Sequence, residues 1–250
     1  LSLSGIAGLT GVRNGPPVLP GVQIADLGGG ALPAAVAILA AIVHRERKGE
    51  GQHIDMSITD GAISLLSIHA AEYLWTQKVP EKGETPLTGK YICYHYYKCK
   101  DEKYLAVGAI EPKFWQIVCQ ILNVPELESE FLAEGAERDE LERKLENIFK
   151  TKNRDEWLKE FEGKDACVEP VVDLRELFEG SHVKSREMVV EVEHSEAGKI
   201  KQPGIPYKFS KTPAKIKWPA PPLGEHTEEI LKNLGYTEDK ISELIDKKVI

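Results

Sequence analysis

A chain of 250 residues has room for one large domain or two modest ones. Its 42% hydrophobic and 29% charged residues are ordinary for a soluble globular protein. The net charge of −8 argues against a general nucleic-acid binder, whose surface must be basic.

The longest apolar run, Ala31 to Val43, falls short of the roughly 20 residues that cross a bilayer. No basic-then-apolar leader opens the chain. The expectation is therefore no nucleic acid and no membrane among the partners. Cys93, Cys99, Cys119 and Cys167 form no CxxC pair, which fits reduced thiols in a cytoplasmic protein. Cys93, His95 and Cys99 are residue types that bind zinc, but a fourth ligand at standard spacing is missing, so no metal is expected.

Residues 1–22 are rich in Gly and Pro and read as an ordered loop. From Gly30 to Lys48 the chain is apolar nearly all round and then basic, which predicts a buried helix stopped by Gly49 and Gly51, with Pro33 in its first turn. QHIDMSI alternates like a strand, and Thr59 and Asp60 start a second helix reaching Gln77, with Asp60 in a capping position. Helix, strand and helix in succession are α/β grammar.

Residues 78–89 read as a linker. YICYHYYKC, the turn KDEK and YLAVGAI then predict two strands, followed by helices at 112–122, 137–150 and 154–162. DACVEPVVD and REMVVEVEH predict two more strands, so 90–198 forms a small α+β domain. Residues 199–222 are a Lys- and Pro-rich return linker, for which a phosphate-binding role is the lesser alternative. Two short helices close the chain, and 223–250 joins 1–77 in one large domain. Trp75, Trp115 and Trp157 are expected as core anchors, and Tyr91, Tyr94, Tyr96 and Tyr97 as strand packing, with a cleft role open for some of them.

Two acids stand at corners where chemistry is possible. Asp26 precedes Gly28, Gly29 and Gly30 in QIADLGGGAL, and Glu111 follows an apolar strand and precedes Pro112. The glycines are neither a GxGxxG fingerprint nor a Walker loop. Each acid can serve as a helix cap. Alternatively the two face a shared cleft, where glycines admit a thioester or phosphate oxygen to the backbone and a helix start favours an oxyanion.

The stretch DLGGGALPAAVAILAAIVHRERKGEGQHIDMSITDG resembles the signature region of the family III CoA-transferases, the CaiB/BaiF group. KDEKYLAVGAIEPKFW and DACVEPVVDLRELFEGSHVKSRE resemble the α-methylacyl-CoA racemases within that group, and PPLGEHTEEILKNLGY is typical of the group. The likeness runs over nearly the whole chain. It implies an α/β, two-domain fold, part of a Rossmann-like large domain plus a small α+β domain, in an interlocked homodimer. The site would lie between the large domain of one subunit and the small domain of its partner.

By that resemblance the chain is an isomerase of acyl-CoA and fatty-acid metabolism that uses no cofactor, coenzyme A being part of the substrate. Asp26 would work with a histidine as paired acid and base at C2 of a 2-methylacyl-CoA, Glu111 would orient that histidine, and Gly28, Gly29 and Gly30 would receive the thioester. The alternative is a CoA-transferase in which Asp26 is the nucleophile; GAIEPKFW favours the racemase. In the racemases the histidine precedes a segment like LSLSG, whereas this chain begins at Leu1. The expectation is the C-terminal two-thirds of a longer protein, inactive by itself. A further departure is GKYI at 89–92, where racemases often carry a Gly-Ala-Pro run. A reading of another class is a non-catalytic dimerisation fragment.

Overall fold

The computed structural model describes residues 1–250. The chain mixes helices with two small antiparallel sheets and divides into two compact units, Leu1–Val171 and Val172–Ile250.

The first unit opens with α1 (Ile6–Leu9), a short helix within the expected loop. A π-helical segment, Ile24–Ala31, then runs directly into α2 (Leu32–Lys48). Basic Arg45, Arg47 and Lys48 suit the carboxyl end of the dipole, and Gly49 closes the helix at φ 76°. The helix therefore begins upstream of the glycines, which lie inside it. Two expectations change as a result. The continuous helical stretch Ile24–Lys48 has 25 residues and is long and apolar enough, by length and composition alone, to cross a membrane, so a count of consecutive apolar residues does not exclude one. In addition, α2 is not buried within this chain: none of its residues is, because only the π-helical segment packs extensively on it.

QHIDMSI forms no strand, since no other strand of the chain pairs with it. The second helix is broken into α3 (Ile58–Ser64) and α4 (Ser67–Thr76). Its cap is Ser57 rather than Asp60; the Ser57 Oγ accepts from the Asp60 N–H at 3.3 Å. Trp75 is 89% exposed, contrary to its expected place in the core.

β1 (Tyr94–Lys98), β2 (Tyr104–Gly108) and β3 (Val168–Pro170) form a sheet in that order, with Tyr97 opposite Leu105 and His95 opposite Val107. Alternation buries Leu105 and Val107 on one face. Against that face lie α5 (Pro112–Leu122), α6 (Gly135–Phe149) and α7 (Arg154–Phe161). Trp115, Val118, Cys119 and Leu122 make the three- and four-residue stripe that α5 buries. The large aromatic groups are also satisfied as polar groups. Trp115 donates its indole N–H to Leu127 O at 2.8 Å, Trp157 to Phe149 O at 2.9 Å, and Tyr97 its hydroxyl to Ile92 O at 2.7 Å.

The second unit contains α8 (Leu174–Glu179) and α9 (Ser181–Ser185), the hairpin β4 (Val189–His194) and β5 (Gly198–Pro203), α10 (Thr227–Asn233) and α11 (Glu238–Asp246). Residues 198–203 are thus the partner strand of β4 rather than the start of a linker. Strand β5 is Lys-rich, and Lys199 pairs with Glu191 across the hairpin at 3.2 Å.

Candidate active site

Asp26 lies in the first turn of the π-helical segment, where the free amides favour a negative charge. Its carboxylate is exposed and has no hydrogen bond or ion pair. Wide helical turns of this kind are rare and concentrate at functional sites. The glycines that follow are packing residues in this chain. A methyl group on Gly29 would come within 2.7 Å of Ala62 N, one on Gly30 within 3.2 Å of an Ile58 side-chain carbon, and one on Gly28 within 3.3 Å of a Leu65 side-chain carbon. The close crossing of the π-helical segment over α3 requires the missing side chain at Gly29, and Gly61 of α3 faces the Gly29 carbonyl in the same way. This fixes the backbone beneath Asp26.

Glu111 is the N-cap residue of α5, and Pro112 takes the first helical position. The cap is made by the backbone alone: Glu111 O accepts from Phe114 N at 3.0 Å and Trp115 N at 3.2 Å, while the carboxylate caps nothing and is exposed. No bond joins Asp26 to Glu111. Asp26 follows Ala25 of the small Ile6–Ala25–Ala62 cluster, whereas Glu111 stands between Ala109 and Trp115 of the main core.

Beside the Glu111 corner is a cavity of about 860 Å³, within the usual range for small-molecule sites. Gly108, three residues before Glu111, and Cys167 line it. The exposed Cys167 thiol is pushed up by partial desolvation and then by the Asp165 and Glu111 carboxylates. Val12, Leu87 and Val107 supply apolar wall, and Tyr94 and Tyr96 project into it, the cleft role left open for these tyrosines. Tyr97 is instead fully buried in the core.

One end of the cavity is charged. Arg138 is 4% exposed and donates to Glu84 at 3.4 Å, Asp139 at 3.0 Å and Lys90 O at 3.2 Å. Arg13 reaches the same two carboxylates, Asp139 at 2.7 Å and Glu84 at 3.2 Å. Hydrogen bonds from Arg13 and Arg138 hold the Asp139 carboxyl below its ordinary range. Glu142 lies 3.3 Å from His95 Nε2 and 3.7 Å from Arg138 Nε. Gly89 lies beside the other ring nitrogen, and its φ of 105° is a backbone conformation that favours glycine. Sequence reasoning missed this constellation: Arg138, Asp139 and Glu142 share α6, but Arg13, Glu84 and His95 join them only through the fold.

The buried Cys93, Cys99 and Cys119 are free thiols, raised by desolvation to about 11, about 11 and about 12 respectively. Such thiols are poor nucleophiles and poor ligands.

Residues 1–227 match the profile described as CoA-transferase family III. The chain belongs to CoA-transferase family III. Its relatives in this family include human alpha-methylacyl-CoA racemase, 33% identical over 264 residues that take in 100% of the chain and 65% of that enzyme. Human succinyl-CoA:glutarate CoA-transferase is 34% identical over 255 residues, 100% of the chain and 58% of that enzyme. The family III fold is also seen in a solved CAIB/BAIF family protein from Brucella suis, with a TM-score of 0.74 and 27% identity over 93% of this chain and 61% of that one. The chain thus spans roughly three-fifths of the length of these family III proteins. The two human relatives are an acyl-CoA racemase and a CoA-transferase, and the resemblance carried by DLGGGALPAAVAILAAIVHRERKGEGQHIDMSITDG and its companions is correct at family level.

Proposed function

We propose that the protein carrying this chain is an acyl-CoA isomerase of the α-methylacyl-CoA racemase type, with Asp26 as one of its two proton carriers. The observation that carries this reading is the Asp26 carboxylate, exposed and without a protein partner, on a backbone locked by the Gly29–Ala62 crossing. Racemisation moves one proton. A base takes the C2 proton, the electron pair passes into the thioester carbonyl as an enolate, and an acid returns a proton to the opposite face. The first-turn amides around Asp26 favour negative charge on the carboxylate or the enolate oxygen. The second carrier must come from a group outside Asp26's present contacts, and Glu111, also unpaired, is suited to orient it.

The same reading assigns no cofactor beyond the coenzyme A of the substrate, a cytoplasmic location, a role in fatty-acid metabolism, and residues 1–77 with 223–250 to a large domain completed in an interlocked homodimer. It takes the uncovered apolar surface of α2, with Val36 66% and Leu39 62% exposed, as protein-facing rather than lipid-facing. An alternative, favoured by the equal likeness to succinyl-CoA:glutarate CoA-transferase, makes Asp26 a nucleophile that forms an acyl anhydride and releases CoA thiolate.

Incubation of the full natural protein carrying this sequence with a 2-methylacyl-CoA in D2O separates the two. Deuterium entering C2 by NMR, and lost in Asp26→Asn, supports proton transfer. Transfer of CoA to a free acid without exchange at C2 establishes the nucleophile instead.

A further inference from the structure

The charged end of the cavity contains more carboxylates than it can neutralise. Arg13 and Arg138 are each already committed to Glu84 and Asp139, and Arg138 also to Glu142 and a backbone carbonyl. Burial of Arg138 leaves it no room to turn toward a guest. Glu142 faces His95, and Glu169 on β3 lines the wall with no ion pair at all. Four carboxylates therefore stand against two guanidiniums: Arg13 and Arg138 line the cavity beside Glu142 and Glu169, but Glu84 and Asp139 behind them already meet their charge. The remaining wall is glycine, aliphatic and aromatic residues with the uncharged Thr88 and Cys167 among them, and His95 beside Glu142.

On the reading that the protein handles acyl-CoA, we infer that this cavity receives the acyl chain and that Glu142 and Glu169 are specificity residues that admit uncharged acyl groups and reject those ending in a carboxylate. A distal carboxylate would enter a partly desolvated space already holding like charge, with no free arginine to pair it, and like-charge juxtaposition is a strong discriminator. An aliphatic chain of the same length brings no charge to be repelled and has Val12, Leu87 and the rings of Tyr94 and Tyr96 to lie against.

Butyryl-CoA and succinyl-CoA offer the test, since both acyl groups have a four-carbon chain and only the second ends in a carboxylate. Their dissociation constants are measured on the full natural protein by calorimetry at fixed ionic strength. The expected result is succinyl-CoA weaker by about tenfold or more, with the ratio shrinking in Glu142→Gln and in Glu169→Gln. The second variant removes an unpaired surface carboxylate, so it keeps the test valid if the first disturbs Arg138. Equal or tighter binding of succinyl-CoA overturns the inference, as does a ratio that neither variant moves. Failure to bind coenzyme A or either thioester is a separate result that overturns the acyl-CoA reading itself, and the inference with it.

Discussion

Helices α2 and α5 make an instructive pair. The shorter, α5, buries Trp115, Val118, Cys119 and Leu122 in a core closed by the sheet, α6 and α7. The longer α2, whose apolar residues are spread round the helix before its basic last turn, buries none of its residues in this chain. Apolar content creates a demand for burial, but the neighbouring elements decide whether it is met. An amphipathic stripe such as that of α5 is satisfied by one layer. A helix apolar all round needs protein on several sides, and α2 has extensive contact only with the π-helical segment that precedes it.

The contrast is sharpest at tryptophan. Trp115→Ala removes a fully enclosed indole and its bond to Leu127 O, and is expected to cost about 3–5 kcal/mol in urea denaturation. Trp75→Ala, at an 89% exposed position, should stay within about 0.5 kcal/mol. A Trp75 loss comparable to that at Trp115 would break the comparison, because it would require α4 to be covered in solution.

Gly29→Ala tests the close crossing of the π-helical segment over α3 in the weakly buried region. Its methyl group would meet Ala62 N at 2.7 Å, so overpacking of about 1–3 kcal/mol is expected, read as a lower midpoint in a thermal melt. The same variant should also reduce α-proton exchange, since it displaces the backbone that carries Asp26.

A smaller effect than that at Gly29 concerns Asp139, whose carboxyl is held below its ordinary 3.8 by hydrogen bonds from Arg13 and then Arg138. Between the folded and unfolded values only the unfolded chain takes up the proton. The carboxylate therefore stabilises fully above that ordinary value, and its contribution disappears as pH falls through the lower folded one. Asp139→Asn should lower the melting temperature at neutral pH, with the gap to the parent closing in acid. A gap independent of pH would show that the network acts through packing alone.

The amino-acid sequence by itself was enough for the β1–β3 and α5–α7 region. The alternation in YLAVGAI, the Pro112 start and the apolar spacing of α5 are local signals, and local signals suffice where each element finds a partner to cover its apolar face, as these do in one shared core. It was enough, too, to mark Asp26 and Glu111 as acids at corners and to reveal the family. It misplaced the helix start at the glycines, because Gly28, Gly29 and Gly30 read as helix breakers until the crossing with α3 is seen to require them. It predicted a strand in QHIDMSI and burial for α2 and Trp75, since pattern expresses a need for partners but not their presence. Only the tertiary structure decided the cavity and its excess of carboxylates: Arg13, Glu84, His95 and Arg138 are far apart along the chain, and electrostatic balance depends on distances that spacing does not encode.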